Sequence, residues 1–396
     1  MGERECGKAP LRLVIAGGGT GGHVQPAIAT LQELRRRVPL QVLWLGSAAG
    51  LERSVAAEEG IAFRAIAVGK LRRYFSLETP LDALRIPLGV AQSVRQLRAA
   101  RPDLVFSTGG FVSVPTVVAA RLLGIPSLTH EQTAIIGLAN RINARFADVI
   151  ALSYERSRAL LGTHHGLIVV TGNPIRASLC DGDPAGAFRA FGLDPNLPLV
   201  YVTGGAQGAQ AINGAVREAL PRLLELVQVI HQCGRTAGEE ERLRAAREAL
   251  PCQLQGRYVI RPFIGPELAE IYAAAALVVG RAGAGTVAEL SALGKPSLLI
   301  PLPGSAGGEQ QINARMLEEA GASVVLPQVQ LNPERLAAEI EHLITGERLP
   351  AMAAAARTRG NPDAAARLAD ALLALAGRAL TPDPGVSTVA HDDEGM

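Results

Sequence analysis

Leu11-Arg12-Leu13-Val14-Ile15-Ala16-Gly17-Gly18-Gly19-Thr20-Gly21-Gly22-His23 is the stretch on which the fold turns. A short apolar run suits a strand buried on both faces, as in a parallel sheet. The glycines after it let the backbone turn sharply and come close to a ligand. Residues 26–37 are rich in Ala, Leu and Arg and read as the helix that follows. Strand, glycine-rich turn and helix together make the opening of a β-α-β unit.

Outward from this start the pattern repeats. Residues 41–45, 104–107 and 127–130 read as further buried strands, each next to a helix-like segment. The series begins again at 199–202 and continues through 228–231, 258–263, 277–280 and 297–301. The second series also opens on a glycine-rich turn, residues 204–208. Between the two, residues 181–197 are rich in Gly, Pro and Asp and are expected to lead into a second domain. The expected class is therefore α/β, with two Rossmann-like, doubly wound domains facing across a cleft. The expected bounds are 1–176, 177–355, a C-terminal helix at 356–380 returning to the first domain, and a disordered tail at 381–396.

Composition agrees with a globular protein and narrows the partners. The chain has 396 residues, enough for two separate cores, with 48% hydrophobic and 19% charged residues. A net charge of +2 supplies no global field for a nucleic-acid partner. The four cysteines, Cys6, Cys180, Cys233 and Cys252, form no C-x-x-C pair and read as reduced thiols. No His, Cys and Asp spacing suggests a metal site, and His164 and His165 read as surface residues. No apolar run reaches the ~18 residues that span a bilayer.

Five segments carry chemistry. In the first, residues 17–23, the string satisfies G-x-G-x-x-G. A dinucleotide site also wants an acid at the end of the second strand, and none comes before Glu52, so an oxidoreductase is disfavoured. His23 opens the following helix and suits a general base; a histidine that merely caps the turn is about equally expected. In the second, Arg281 to Glu289, the amides of Ala284, Gly285, Thr286 and Val287 suit a diphosphate, and Glu289 suits ribose hydroxyls. The competing reading is a capping box, Thr286-x-x-Glu289. The third, residues 304–313, offers Glu309, Gln310 and Gln311 to sugar hydroxyls, or is an ordinary polar helix start. The fourth, His130-Glu131-Gln132-Thr133 with Asn140, ends a strand and suits contact with an acceptor, or caps a loop. In the fifth, Lys70, Arg72 and Arg73 beside Tyr74 and Phe75 suit anionic headgroups or an acceptor diphosphate, or form a solvated basic loop.

Taken together, these motifs resemble the MurG family of peptidoglycan glycosyltransferases, of the two-domain GT-B class. The resemblance runs from about Leu11 to Ala376. It rests on residues 18–24, His130-Glu131-Gln132, Gly172-Asn173-Pro174-Ile175-Arg176, residues 204–209, Arg281-Ala282-Gly283-Ala284 and residues 310–314. It implies inverting transfer of N-acetylglucosamine from UDP-N-acetylglucosamine to the C4 hydroxyl of the muramyl sugar of undecaprenyl-diphosphate-linked muramyl pentapeptide. The enzyme would act peripherally on the cytoplasmic face of the cell membrane, with no cofactor and no metal. The first domain would bind acceptor and an anionic membrane surface, and the second the UDP-sugar.

The resemblance also implies residue roles. His23 is the family's candidate base, with Glu131 an alternative acting through water. Thr20, Gly21 and Gly22 would lie near donor sugar and acceptor. Arg176 and the segment Ala284, Gly285, Thr286, Val287, Ala288 and Glu289 would hold diphosphate and ribose. Ile264 would offer backbone bonds to uracil, Gln310 would read N-acetylglucosamine, and Phe111 and Asn140 would line the acceptor side. Four positions depart from the family's usual residues: Thr133 for Asn, Ala206 for Ser, Phe111 for Tyr, and Glu309 for His or Gln. Thr133 and Ala206 are still expected at the donor. Each lost side-chain hydrogen bond costs about 1 kcal/mol unless replaced. Three rivals stand beside this reading: a transferase of the same fold with another lipid acceptor, a UDP-N-acetylglucosamine epimerase, and a non-catalytic nucleotide-sugar-binding protein.

Overall fold

The computed structural model describes residues 9–19, 21–69 and 79–378. Residues up to Gly172, together with those from Asp363 onward, form one compact unit; Asn173–Pro362 form a second. The chain thus leaves unit one inside the Gly-Asn-Pro-Ile-Arg motif, four residues before the expected bound at 176. It returns at Asp363, after the helix Arg348–Arg359, so the returning helix is Ala364–Leu375 and starts later than residue 356. The tail 381–396 lies outside the described residues.

Unit one contains strands β1 (Leu11–Gly17), β2 (Leu40–Gly46), β3 (Ala62–Ala65), β4 (Leu104–Gly109), β5 (Ser127–Glu131), β6 (Val149–Leu152) and β7 (Leu167–Val170). They form a parallel sheet in the order β3-β2-β1-β4-β5-β6-β7. Alternation along β1 explains why both faces are covered. Leu11, Leu13 and Ile15 pack with Val24, Ile28, Leu31 and Leu34 of the helix Gly21–Arg37, and with Leu368 and Leu372 of the returning helix. Val14 and Ala16 point the other way, against Leu97, Ala119 and Ala120. Helix Gly21–Arg37 closes on Arg35, Arg36 and Arg37, whose charges favour the negative end of its dipole.

Unit two repeats the plan with β8 (Leu199–Thr203), β9 (Gln228–Gln232), β10 (Tyr258–Arg261), β11 (Leu277–Gly280), β12 (Ser297–Leu299) and β13 (Ser323–Val325). Its parallel order is β10-β9-β8-β11-β12-β13. Val200 and Val202 pack on Ile212, Val216 and Leu220 of the helix Gln210–Leu223, while Tyr201 and Val278 pack on the opposite face with Ile271 and Leu290. Residues 181–197, expected to lead into the second domain and inside its expected bounds, belong to this unit. It contains the helix Pro184–Phe191, capped by Asp183, whose carboxylate accepts from the Ala185 amide at 3.0 Å.

In both sheets the strand order reverses beside the first strand of the unit: between β1 and β4, and between β8 and β11. Loops leaving the carboxyl ends at such a point splay apart, and ligands bind there. In unit one these are the turns after Gly17 and Gly109; in unit two they are those after Thr203 and Gly280. Among the described residues no helix is long and apolar enough to cross a membrane.

Candidate active site

Three strand ends meet around His23 in unit one. Its Nδ1 lies 2.9 Å from the Thr108 carbonyl and 3.1 Å from Gln132 Oε1. Both partners only accept, so Nδ1 carries the proton and donates, and the neutral ring keeps its lone pair on Nε2. Gln132 cannot turn its amide round. Its Nε2 donates to the carbonyls of Thr108 at 2.7 Å and His130 at 3.1 Å, and to His130 Nδ1 at 3.1 Å. His130 in turn donates from Nε2 to the Gly172 carbonyl at 3.0 Å. Full burial keeps that imidazole neutral, moving it from 6.5 down to about 4 against the pull of the Gly172 carbonyl. Gly110 lies against the His23 ring in a left-handed conformation. A Cβ there would stand 2.8 Å from the Gly18 carbonyl and 3.2 Å from His23 Cδ2, so only glycine leaves the ring its place.

Glu131 is held within the loop after β5. Its Oε1 accepts from the amide of Thr133 at 3.0 Å and the Thr133 hydroxyl at 2.9 Å. Its Oε2 accepts from the Gly137 amide and from Asn140 Nδ2, each at 3.0 Å. Two backbone amides and Asn140 Nδ2 donate to this nearly fully buried carboxylate, with the Thr133 hydroxyl shared between it and the Ile135 carbonyl, so Glu131 anchors the loop after β5. Asn140 is likewise interior. It holds the His130 carbonyl and Glu131, and accepts from Thr129 and Asn143, so its amide is spent inside the fold rather than on an acceptor. Thr133 uses its hydroxyl within the same loop. Phe111 is half-buried in the turn after β4, near the Gly110–His23 contact.

In unit two the helix Ala284–Leu293 begins immediately after β11, and no side chain caps its start. The capping-box alternative therefore fails. The N-cap is Gly283, three residues before Thr286, and Glu289 instead accepts a 2.8 Å bond from the Tyr272 hydroxyl. Burial raises the Glu289 carboxyl above its ordinary range, while the Tyr272 bond and the field of Arg176 work the other way. Arg176 makes no ion pair among the described residues and stands half-buried within range of Glu289. Asn173 ties this segment to the helix tip through a 3.1 Å bond to the Ala284 carbonyl. Uncapped amides, a positive dipole end and an unpaired guanidinium form a place for a multiply charged anion.

Other expected donor residues, after β8 and β10 and on the helices Ala284–Leu293 and Glu309–Glu319, have less freedom. The Ile264 amide is engaged by Gln232 Oε1 at 3.2 Å, which leaves the carbonyl as its polar group for a base. Gln310 uses Oε1 on the Leu302 amide at 3.0 Å and keeps Nε2 as a donor. Ala206 is exposed in the turn between β8 and the helix Gln210–Leu223. Val287 is buried, and Gly285, Thr286 and Ala288 are half-buried on the same first turns. Arg281 has a bracing role: it donates to the Ile300 carbonyl at 2.9 Å and Gln328 Oε1 at 2.7 Å. Gly21 and Gly22 form the first turn of the helix that carries His23. Thr20, Lys70, Arg72, Arg73, Tyr74 and Phe75 lie outside the described residues. No cluster of three or more His, Cys, Asp or Glu among the described residues has the placement to hold a metal ion.

The individual roles of Gln132, Tyr272 and Asn173 come from the structure. Gln132 sits two residues from His130 at the strand end, the alternation that puts both on one face, and that signal was available. Tyr272 and Glu289 are separated by a strand, and nothing local connects them.

Comparison with known proteins shows the family. Residues 13–152 match the glycosyltransferase family 28 N-terminal domain and residues 199–368 its C-terminal domain. A Treponema pallidum (strain Nichols) protein described as UDP-N-acetylglucosamine–N-acetylmuramyl-(pentapeptide) pyrophosphoryl-undecaprenol N-acetylglucosamine transferase is 39% identical, covering 91% of this chain and 94% of that one. The Listeria monocytogenes EGD-e protein of the same description is 37% identical, over 92% and 99%. The crystal structure of Acinetobacter baumannii MurG superposes with a TM-score of 0.70 at 28% identity, covering 92% of this chain and all of that one. A UDP-N-acetylglucosamine 2-epimerase structure reaches 0.65 at 16% identity, which speaks to the fold alone. With two-domain α/β architecture of the GT-B class and relatives of this identity along nearly its whole length, the chain belongs to glycosyltransferase family 28, in its MurG branch.

Proposed function

We propose that the protein transfers N-acetylglucosamine from UDP-N-acetylglucosamine to the C4 hydroxyl of the muramyl sugar on undecaprenyl-diphosphate-linked muramyl pentapeptide, with inversion. Unit two takes the donor. The first-turn amides of Ala284–Leu293 and the Arg176 guanidinium stabilise the diphosphate as it departs, Glu289 accepts from ribose hydroxyls, the Ile264 carbonyl meets uracil, and Gln310 Nε2 reads the acetylated sugar. Unit one supplies the base. His23 Nε2 accepts the proton of the attacking hydroxyl as the new glycosidic bond forms and the bond to the diphosphate breaks.

The observation that carries this reading is the tip of Ala284–Leu293, where the one acid that resembled a cap is bonded to Tyr272 and the helix start stays open. The relatives' printed names support the substrates. We further propose that the basic, aromatic run Lys70 to Phe75 meets anionic lipid at the cytoplasmic membrane face.

The test is transfer of radiolabel from UDP-N-acetylglucosamine to the lipid-linked acceptor. Label reaching a diacylglycerol instead would replace the acceptor assignment, and conversion of the nucleotide sugar without lipid would replace the reaction. His23→Ala is expected to lower turnover roughly 10²–10⁴-fold at unchanged donor affinity. Wild-type turnover in that variant removes His23 from the chemistry.

A further inference from the structure

Glu52 has no part in the transfer just described, yet its carboxylate is built into the glycine-rich turn of unit one. The side chain is fully buried. Oε2 accepts from the Gly19 amide at 2.9 Å; Oε1 accepts from the Ser47 amide at 2.8 Å and the Ser47 hydroxyl at 2.7 Å. Three glycines are shaped around it. An added Cβ would lie 2.3 Å from Glu52 Cδ at Gly18, 2.1 Å from Oε2 at Gly50, and 2.7 Å from Cγ at Gly46. Gly50 has an ordinary φ of −83°, so the carboxylate, rather than backbone strain, is what forbids a side chain there.

The turn after the first strand of such a sheet is where backbone amides ordinarily meet an anionic ligand. Here one of those amides already holds an anion belonging to the chain. We infer that Glu52 is the resident anion of the Gly17–His23 turn: a positioning residue that occupies the Gly19 amide, keeps phosphate from it, and fixes the loop that delivers His23. The two units then divide the work, with phosphate left to the uncapped helix of unit two. The inference deepens the proposed function and rests on it only where turnover is the readout.

A built-in reporter makes the turn observable without substrate. Trp44 is the chain's single tryptophan, is fully buried, and donates from Nε1 to the Gly17 carbonyl at 2.9 Å. In Glu52→Ala, Trp44 emission is expected to shift, hydrogen exchange at the Gly19 amide to rise, and kcat to fall roughly tenfold or more with donor KM within about twofold of wild type. Formate, a carboxylate small enough for the vacated space, should restore emission and kcat with one half-saturation concentration. Inorganic phosphate should perturb Trp44 emission in the variant and leave wild type unchanged. Folded Glu52→Ala that ignores formate, or wild-type emission that responds to phosphate, overturns the inference. Recovered emission without measurable transfer in any variant, wild type included, would instead count against the proposed reaction. Should Glu52→Ala not fold, Gly50→Ala carries the test. It is expected to displace the carboxylate and speed exchange at Gly19, and unchanged exchange there overturns the inference.

Discussion

Two glycine-rich turns, the one after β1 in unit one and the one after β11 in unit two, both lie at a reversal of strand order and do different things. Each follows a central parallel strand, each leads to a helix, and each lies where the strand order reverses. In unit one the chain folds its own carboxylate, Glu52, onto the Gly19 amide, and the turn becomes a rigid seat for an imidazole. In unit two the equivalent switch point includes the start of Ala284–Leu293, where no side chain caps the amides and Glu289 is drawn aside by Tyr272. A glycine string after a strand is thus a device for presenting amides, and what occupies them decides between scaffold and ligand site.

Each unit buries a neutral histidine: His130 under the His23 turn, and His231 between Tyr258 and Asn213 in unit two. Burial lowers them from 6.5 to about 4 and about 3, respectively. Because both folded values lie below the unfolded one, the unfolded chain binds more protons between those limits. The stability these groups give is complete above pH ~6.5 and is lost as pH falls toward about 4 for His130 and about 3 for His231. By pH ~4.5 each should cost about 3 kcal/mol of stability. Urea unfolding at pH 7 and 4.5 checks this, and His231→Asn should flatten the loss in unit two while leaving that of unit one. An unchanged pH slope in the variant would mean that His231 does not titrate in this way.

Arg176→Ala comes next in size. Removing a cation whose field reaches Glu289 should weaken UDP binding by about 2 kcal/mol, roughly thirtyfold, with Trp44 emission in unit one unchanged. Calorimetric titration with UDP measures it, and a response in Trp44 would show that the two turns are not independent. Glu289→Gln should raise donor KM about tenfold, because an amide accepts ribose hydroxyls less strongly than a carboxylate. If Glu289 were only a helix cap, its thermal midpoint would move and KM would not. Tyr272→Phe is the smallest change. Loss of the 2.8 Å bond leaves Glu289 unheld, and donor KM should rise about fivefold, for about 1 kcal/mol, with kcat retained.

How far the molecule could be read in advance depended on where an element's partners lay. Strands β1, β4, β5, β8 and β11 are continuous buried runs and stand out as such. At the sheet margins, β3, β7 and β13 are three or four residues long with partly exposed side chains, so no hydrophobic run marks them. Residues 181–197 read only as a lead into the second domain because Gly, Pro and Asp are also helix-boundary residues; here Asp183, Pro184 and Gly192 delimit a helix. At the site, the glycine strings and His23 were legible as motifs. For Glu131 a carboxylate at a strand end suggests chemistry, and only its donors, spread over residues 133 to 140, reveal that it also anchors a loop.

By itself the sequence determined the α/β class, the repeat of the strand–turn–helix plan, the positions of the glycine-rich turns and the family, because each follows from local pattern or residue identity along the chain. Tertiary structure alone decided which carboxylates are anchors and which are open, what faces each glycine, and which ring nitrogen of His23 keeps its lone pair. Those properties depend on hydrogen-bond partners tens of residues away: Glu52 for Gly19, Thr108 and Gln132 for His23, and Tyr272 for Glu289. A carboxylate or an imidazole has no fixed role until its donors and acceptors are in place around it.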